Sequence, residues 1–329
     1  MVTINEIAKR ANVSRTTVSR VINSTGYVSE EAKRKVLKVI EETGYVPSEH
    51  AKSLRTKKTK VIGVVLPKIS TETSSRLVRG LDEVFAKEGY QILLTNTNLE
   101  PEKEIEYLKL LKSRHVDGII LSATNINEKL VKEISQLKIP FVTVGQSVSG
   151  VTNVLFDDYQ ASKDMVHLLI EKGYENIAFI GVDEKDHAVG YLRKLGYQDA
   201  MKEMGLPIEA SWVQKGVFDV DSGYECMKSI MNHSKQKPTA ILAVTDRLAI
   251  GALQFIKERG LTVPDDMAVA GMGASELSRF ISPPLTTIEF SMKEAGREAA
   301  NLLLEQIKGK SSQEVCKKIN HRLIERSSI

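Results

Sequence analysis

The stretch from Asn12 to Ser29, NVSRTTVSRVINSTGYVS, places hydroxyl groups and arginines between single apolar residues at helical spacing. When the valines of such a helix face inward, its outward positions are Arg15, Thr16, Ser19 and Arg20. Stability alone does not select these side chains, because serine and threonine compete with the backbone for hydrogen bonds and are poor helix formers. Their donors and acceptors suit base edges and phosphate oxygens. The stretch therefore predicts a helix that contacts nucleic acid.

Two further helices are predicted around this one, and the three would share a small core. Ser14 and Ser29 stand where they can cap the second and third helices. The predicted core residues are Ile4, Ile7, Ala8 and Ala11 in the first helix, Val18, Val21 and Ile22 in the second, and Val36, Leu37 and Ile40 in the third. Two short helices joined by a turn of about four residues form a helix-turn-helix, whose second helix enters the major groove of DNA.

Positive charge is concentrated at the start of the chain. Residues 1–60 hold 13 Lys and Arg against 6 Asp and Glu, a net charge of +7, whereas the other residues hold 33 against 36, a net charge of −3. A basic segment on a slightly acidic body is typical of a nucleic-acid-binding domain. A solvated charged surface would give the same pattern, so this interpretation depends on the helices described above.

The beginning of the chain resembles a known family in five short motifs. IAKRANVS, TVSRVIN, VSEEAKRKV, GYVPS and AKSLR occur in the order and spacing of the headpiece of the lactose-repressor (LacI/GalR) family of bacterial transcription regulators. The resemblance implies that Arg15 and Thr16 occupy the main positions that read the major groove. It further implies supporting base or phosphate contacts from Thr3, Asn5, Ser19, Arg20, Asn23 and Tyr27.

A polar and basic segment from Pro47 to Lys60 follows this headpiece and has the composition of a linker. In the family it becomes a hinge helix when it pairs with its dimer mate on operator DNA. The resemblance places Ala51 where the two hinge helices touch and Leu54 where a leucine wedges into the minor groove. An apolar wedge unstacks a base step and bends the duplex, which lets both heads reach their half-sites.

The rest of the chain alternates apolar, β-branched runs with helical patterns. The first series of runs extends from KVIGVVLP to IPFVTVG and the second from NIAFIGV to MAVAGMG. Such alternation predicts two lobes, each with a parallel sheet covered on both faces, and a ligand site at the carboxyl ends of their strands. This region resembles the effector domain of the same family, which shares its fold with periplasmic sugar-binding proteins.

The predicted fold is therefore an all-α helix-turn-helix headpiece followed by an α/β effector domain of two doubly wound, parallel-sheet lobes. The predicted domains are the headpiece at 1–46, the hinge or linker at 47–60, and the effector-binding and dimerisation domain at 61–329. We expect lobe 1 at about 61–157 and 289–316, and lobe 2 at about 158–288 and 317–329.

Candidate ligand contacts follow the predicted strands. Arg193 matches the arginine that hydrogen-bonds the effector in the family, and its fork of donors suits vicinal hydroxyls or a phosphate. Phe218 matches an aromatic residue that stacks on the ligand. The other candidates are Thr71, Thr73, Ser122 and Gln146 in the first lobe, and His187, Thr245 and Asp246 in the second. Apart from Arg193, each would serve equally well as an ordinary surface polar group.

Two segments depart from the family pattern and leave the identity of the ligand open. The loop ISTETSS after the first strand has no aromatic ring, and Gly273 stands where many relatives carry an aspartate that accepts from sugar hydroxyls. The segments GVDEKDHAVGYLRKLGYQDA and AGMGASELSRF are most similar to those of disaccharide-operon repressors of the sucrose or trehalose type.

Other functional classes have less support in the sequence. The chain has no Walker A, GxSxG or HExxH motif, its six histidines are dispersed, and its two cysteines are Cys226 and Cys316. We therefore expect no enzyme activity, no metal and no cofactor. No signal sequence and no run of 18 apolar residues is visible, so we expect a cytoplasmic protein without membrane contact.

These observations predict a homodimeric repressor of a carbohydrate-utilisation operon. It would bind pseudo-palindromic double-stranded operator DNA and respond to a sugar or a sugar phosphate. Two alternatives stay open, namely a global carbon regulator that uses a phosphoprotein corepressor, and a solute-binding protein without a role on DNA. The second alternative would require a signal peptide and no basic headpiece.

Overall fold

The computed structural model describes residues 2–23, 25–45, 58–124, 126–310 and 314–329. The chain divides into two compact units, Met1–Thr59 and Lys60–Ile329. Ala51 and Leu54, the predicted hinge residues, lie outside the described residues.

The first unit contains three helices, α1 (Ile4–Ala11), α2 (Arg15–Asn23) and α3 (Glu30–Thr43). Each helix begins at a residue whose hydroxyl accepts a backbone N–H, as predicted for Ser14, which accepts from Thr17, and for Ser29, which accepts from Ala32. Their core consists of the buried residues Ile7, Ala8, Ala11, Val18, Val36 and Val39. The helix-turn-helix predicted from apolar spacing is therefore present.

Leu37 does not belong to this core, although the sequence pattern suggested that it would. Its side chain is 50% exposed, whereas Val39 is 8% exposed. An α-helix advances about 100° per residue, so Val36, Val39 and Ile40 share one face of α3 and Leu37 lies about a quarter-turn away. The buried face of α3 is therefore formed by Val36, Val39 and Ile40 and does not include Leu37.

The second unit contains two six-stranded sheets. Their strands are β1 (Val61–Leu66), β2 (Gln91–Asn96), β3 (Gly118–Ser122), β4 (Phe141–Val144), β5 (Thr152–Phe156), β6 (Ile177–Gly181), β7 (Val213–Lys215), β8 (Ala240–Ala243), β9 (Ala268–Met272), β10 (Thr286–Phe290), β11 (Cys316–Ile319) and β12 (His321–Ile324). The first sheet has the order β11-β5-β4-β3-β1-β2 and the second β12-β10-β9-β8-β6-β7. All pairings are parallel except that of β10 with β12.

The helices of this unit follow the strands as crossovers. They are α4 (Glu72–Phe85), α5 (Pro101–Ser113), α6 (Glu128–Gln136), α7 (Asp158–Glu171), α8 (Arg193–Glu203), α9 (Val220–His233), α10 (Asp246–Glu258), α11 (Leu277–Phe280) and α12 (Met292–Ile307), with a π-helical turn at His187–Leu192 before α8. The central strands read as continuous buried runs, as in β6 and β9, because helices cover both faces.

In each sheet the strand order reverses at the strand next to one edge. β1 pairs with both β2 and β3, and β6 pairs with both β7 and β8. Loops that leave the sheet on either side of such a strand diverge and open a crevice at its carboxyl end. The fold therefore provides one crevice in each lobe.

The lobe boundaries differ from those expected near the carboxyl terminus. β10 belongs to the second sheet up to Phe290, and β11 belongs to the first sheet up to Ile319. β11 extends the first sheet as a parallel partner of β5, whereas β12 pairs antiparallel with β10. The chain therefore changes sheets at about Ser291 and Asn320, a few residues after the expected positions.

Helix α12 follows a strand of the second lobe but packs on α4 of the first. A side chain at Gly80 would place its Cβ 2.0 Å from the carbonyl oxygen of Lys293, and one at Gly296 would place it 2.3 Å from that of Leu77. Only glycine allows these two helices to approach so closely. This contact fixes α4, whose first turn borders the crevice between the lobes.

Candidate functional site

The outer side of α2 carries the residues that were predicted to read DNA. Arg15, Thr16 and Arg20 are exposed, and Ser19 is half-buried. Asn23 donates its side-chain amide to the carbonyl oxygen of Ser19 at 2.6 Å, so it holds the last turn of the helix. The structure thus presents two guanidinium groups and a hydroxyl on one surface, which suits base edges and phosphates.

The remaining headpiece candidates have different environments. Thr3 forms a capping box with Glu6, because the Thr3 hydroxyl accepts from the Glu6 N–H at 3.3 Å and the Glu6 carboxylate accepts from the Thr3 N–H at 3.1 Å. Asn5 is exposed on the first turn of α1, and Tyr27 is 88% exposed.

A cavity of about 790 Å³ lies between the two lobes. It is lined by residues that follow strands of both sheets, among them Pro67 after β1, Gly145 after β4 and Gly273 after β9. Of the predicted ligand contacts, those that line it are Thr71, Thr73, Ser122, Gln146, Arg193, Phe218, Thr245 and Asp246. The carboxyl ends of the strands therefore form the site, as predicted from the alternation of strands and helices.

Arg193 is buried on the cavity wall and already has partners. Its Nε and one terminal nitrogen each lie 2.7 Å from Asp158 Oδ1, and its other terminal nitrogen donates to the carbonyl oxygen of Val244 at 2.6 Å. The guanidinium also stacks 4.5 Å from the centre of the Phe290 ring. Burial raises the pKa of the Asp158 carboxyl, and the guanidinium opposes that rise. The arginine is thus held in place by the second lobe itself.

Of the predicted ligand contacts, His187 is the one that does not line the cavity. Its ring is exposed and stacks on Tyr191, with ring centres 5.1 Å apart. The adjacent residue Asp186 lines the cavity instead, at 7% exposure. Asp186 caps the π-helical turn and accepts from the N–H of Val189 at 3.0 Å, which directs its carboxylate inward and the next side chain outward.

Polar groups from both lobes meet at one end of the cavity. Gln146 of the first lobe donates its Nε2 to Asp186 Oδ1 of the second at 2.7 Å and to the carbonyl oxygen of Thr124 at 3.2 Å. Behind them, the Thr124 hydroxyl donates to Glu104 Oε1 at 3.4 Å. Burial raises the pKa of Asp186, and it raises the pKa of Glu104 to about 7. The sequence pattern gave no reason to select either carboxylate.

The other polar wall is built around Asp246. Its two carboxylate oxygens accept from the N–H of Ser275 and from the hydroxyl of Thr287, both at 2.5 Å, and burial raises its pKa. A Cβ at Gly273 would lie 3.8 Å from Asp246 Oδ2. This distance is an ordinary contact, but Gly273 has a φ of +134°, a conformation that residues with side chains rarely adopt, so glycine fits there.

The remaining walls are largely apolar, and several of their residues were missed from the sequence. Phe218 was predicted, and the structure adds Leu77, Phe156, Met272, Leu277, Phe280 and Phe290. The aromatic rings therefore come from elements other than the loop after β1. A cavity with apolar faces and a few fixed polar groups is typical of a small-molecule site.

Hydrogen bonds cross between the lobes at the mouth of the cavity. Arg76 on α4 donates to the carbonyl oxygens of Gly273 and Ala274, at 3.3 and 2.8 Å. The Glu72 carboxylate accepts from the N–H of Glu276 at 2.8 Å, and Arg247 donates to the carbonyl oxygen of Ser70 at 3.2 Å. These contacts join the two lobes in the arrangement seen here.

Among the residues that the structure describes, no cluster of three or more His, Cys, Asp or Glu side chains has a metal-binding arrangement. No helix among them is both long and apolar enough to cross a membrane.

Two family models match this chain. The model described as bacterial regulatory proteins, lacI family, matches residues 3–48, and the periplasmic binding protein-like domain matches residues 166–329. Solved structures of similar fold include a complex of the transcriptional regulator CelR with cellobiose, with a TM-score of 0.77, 27% identity and 100% coverage of both chains. The lac repressor dimer bound to operator and the anti-inducer ONPF gives a TM-score of 0.90 at 24% identity, over 99% of this chain and 98% of that one.

Curated relatives align over the full length. Catabolite control protein A of Priestia megaterium is 34% identical over 99% of both chains. The transcriptional repressor PurR of Histophilus somni (strain 129Pt) is 34% identical over 100% of this chain and 99% of its own. The helix-turn-helix, the two parallel-sheet lobes and these alignments agree. The chain belongs to the lacI family of bacterial regulatory proteins, which are DNA-binding transcriptional regulators controlled by effectors.

Proposed function

We propose that this protein is a cytoplasmic repressor that binds a pseudo-palindromic operator as a homodimer. The exposed arginines and threonine of α2 support base reading by this headpiece, since two such heads on a twofold axis match two half-sites. The division at 1–46, 47–60 and 61–329, with Ala51 and Leu54 in a hinge, remains part of this proposal. The match of the headpiece to the lacI model favours this function over a solute-binding protein.

The dimer contact in this proposal involves the first lobe. Strand β2 is the edge of the first sheet, and its Leu93 and Leu94 are 39% and 37% exposed. Apolar side chains on an unpaired edge are an aggregation hazard unless another surface covers them. A second copy of the chain supplies such a surface.

The effector that we propose is a neutral carbohydrate, and the charge balance of the cavity carries this choice. Each arginine that lines the described part of the site already donates to the protein: Arg193 to Asp158, Arg76 to two carbonyl oxygens, and Arg247 to Ser70. The acidic residues on the lining are Glu72, Asp158, Asp186, Asp246 and Glu276, against the basic residues Lys68, Arg76, Arg193 and Arg247. A phosphate would meet one more acidic than basic side chain, and arginines that each already donate to the protein.

The apolar walls agree with a sugar ring. The faces of a pyranose ring carry C–H groups that pack on aromatic rings such as Phe218, while its hydroxyls pair with the polar groups at the two ends of the cavity. The sequence left open whether the effector is a sugar or a sugar phosphate. We therefore favour the neutral sugar.

A ligand panel tests this function. Thermal unfolding of the full chain is measured with matched pairs of neutral sugars and their phosphates, and each hit is added to a titration of an operator selected from random duplexes. We expect a neutral sugar to raise the melting temperature and to change operator affinity. Stabilisation by the phosphate alone would contradict the proposed ligand class.

A global carbon regulator is the second candidate, because one relative of 34% identity is named catabolite control protein A. A repressor named PurR shows the same identity, so the names alone do not choose between these roles. If no small molecule in the panel changes operator affinity while a protein fraction does, this result would support the global carbon regulator.

A further inference from the structure

Glu104 is a buried carboxyl group with one unsatisfied oxygen. It lies on the inner side of α5, is 1% exposed, and accepts from Thr124 only through Oε1. Its Oε2 has no hydrogen-bond partner among the described residues. A buried carboxylate with a bare oxygen is costly, so the group gains by carrying a proton on that oxygen.

A chain of hydrogen bonds joins Glu104 to the contact between the lobes. The Thr124 hydroxyl donates to Glu104, the Thr124 carbonyl accepts from Gln146 Nε2, and the same nitrogen donates to Asp186. Gln146 is 3% exposed and Asp186 is 7% exposed. The bond from Gln146 to Asp186 is therefore a buried hydrogen bond between the first lobe and the second.

The charges around Glu104 are few. The pKa of Glu104 is raised to about 7, chiefly by burial; the nearby Asp186 carboxylate contributes to this rise, and hydrogen bonds from Thr124 oppose it. Strand β1, which packs on α5, has no titratable side chain. On α6, Glu128, Lys129 and Lys132 are exposed and Glu133 pairs with Lys109 at 3.6 Å.

Behind Asp186 lie the Arg193 guanidinium, which lowers the pKa of Asp186, and the Asp158 carboxylate, which raises it. These two form an ion pair with each other, so the lowering of the Asp186 pKa by Arg193 is opposed in part by Asp158. The charge that Glu104 meets most directly is thus that of Asp186.

We propose that Glu104 is a positioning residue that couples closure of the two lobes to a proton. When Glu104 is neutral, the Asp186 carboxylate accepts from Gln146 and the lobes are held together at this end of the cavity. When Glu104 ionises, two buried carboxylates oppose each other across Thr124 and Gln146, and the bond between the lobes weakens. Only the link from closure to operator control rests on the proposed function.

The direction of the pH effect follows from linkage. Opening separates Asp186 from Glu104 and admits water, so the pKa of Glu104 is lower in the open arrangement than in the closed one. The closed arrangement therefore binds more protons near pH 7, and its population falls as the pH rises. For one proton the effect is at most about tenfold per pH unit.

Hydrogen exchange of the full chain without ligand tests this coupling. Exchange is measured by mass spectrometry at pH 6 and pH 8, with labelling times scaled to the intrinsic rates, in peptides that cover 142–156 and 183–193. We expect exchange in both peptides to be at least threefold faster at pH 8 in the wild type. Glu104→Gln should abolish that difference, and Asp186→Asn should reduce it at least by half.

The matched control is Glu133→Gln, which changes a glutamate on the neighbouring helix and should keep the wild-type profile. A carbon-13 titration of the Glu104 carboxyl in the wild type provides a second measurement that needs no variant. Equal pH profiles in the wild type and Glu104→Gln, or titration of Glu104 below pH 5, would overturn the proposal. Because no ligand is present, this result does not depend on whether the effector panel succeeds.

Discussion

At the scale of single residues, Arg193 shows how a predicted ligand contact can have a structural partner as well. Its charge is neutralised by Asp158 and one of its donors is used by Val244 before any ligand enters. The guanidinium that was expected to bind a sugar hydroxyl thus already donates to acceptors of the protein. Arg193 nevertheless lines the cavity, where it stacks on Phe290, and two of its five N–H donors are not used by Asp158 or Val244.

Arg193→Ala should therefore destabilise the protein and not only weaken a ligand. Removing one partner of a buried ion pair leaves the other charge unpaired, at a cost of about 3–5 kcal/mol. Urea unfolding should show a marked fall in the transition midpoint for Arg193→Ala and a smaller combined loss in the double variant Arg193→Ala, Asp158→Ala than the sum of the single losses.

The control for this prediction is the neighbouring residue Lys194, which pairs with Glu184 at 2.6 Å near the surface. Lys194→Ala should change stability by at most about 1 kcal/mol, as is usual for such pairs. If Arg193→Ala costs no more than Lys194→Ala, the buried pair is not a structural element of the second lobe.

Arg15 tests base reading in the headpiece. Arg15→Ala should reduce affinity for the selected operator by about 1–3 kcal/mol and relax the preference at the base that it contacts. Lys33, 51% exposed at its side chain, is expected to contact phosphate, so Lys33→Ala should weaken all sequences alike. Titrations on operator and scrambled duplex at one salt concentration separate the two. Equal losses on both duplexes for Arg15→Ala would refute base reading by this residue.

At the scale of elements, the N-terminal part of α4 contacts the second lobe across the mouth of the cavity. Glu72 and Arg76 lie one turn apart and contact each other at 3.5 Å, and both reach the loop after β9 in the other lobe. The close packing of α4 on α12 through Gly80 fixes this turn in the first lobe. Closure in this structure is thus supported by a rigid helix that contacts backbone atoms across the cleft.

Arg76→Gln should shift the lobes toward an open arrangement. Hydrogen bonds that involve a charged group are each worth about 1.5–3 kcal/mol. Partial exposure of Arg76 reduces this, so we expect a change of about tenfold in the ratio of open to closed forms. Small-angle X-ray scattering should report a larger radius of gyration. Arg79→Gln, three residues further along α4 and paired with Glu83 on the surface, is the control. A radius of gyration that is the same in both variants would exclude a role for Arg76 in closure.

At the scale of the whole molecule, the two compact units have separate cores. The headpiece core consists of six buried residues from α1, α2 and α3, and the second unit has its own clusters around the two sheets. The effector can change operator affinity only if it binds one lobe arrangement better than another. Operator DNA must likewise bind one arrangement better: affinity falls if DNA and effector prefer opposite arrangements and rises if they prefer the same one.

A fragment from Lys60 to Ile329 should therefore fold, dimerise and bind the effector, but not bind operator. The reason is that the unit at Lys60–Ile329 contains both sheets and the cavity, whereas the exposed arginines of α2 lie in the other unit. Circular dichroism, sedimentation velocity and operator titration check these three properties. Operator binding by the fragment would show that the division into a DNA-binding head and an effector domain is wrong.

Local patterns were enough to predict the headpiece and the class of the body. Helical spacing of apolar residues, the caps at Ser14 and Ser29, and the charge of the first 60 residues depend on neighbours within a few positions, which the sequence displays directly. Alternation of strands and helices likewise predicted the two lobes and the position of the cleft.

Tertiary structure alone decided which groups meet in that cleft. The partners Asp158 and Arg193 are 35 residues apart, and Gln146 and Asp186 are 40 apart. Such contacts depend on how helices pack on the sheets, and the local spacing of apolar residues in the sequence does not determine that packing. That Asp186 and not His187 lines the cavity depends on the extended N-cap conformation of Asp186, whose carboxylate accepts from the N–H of Val189 in the π-helical turn. The burial of Glu104 and the exchange of sheets at Asn320 likewise follow from packing between distant segments, because a side chain's environment is set by every element that covers it.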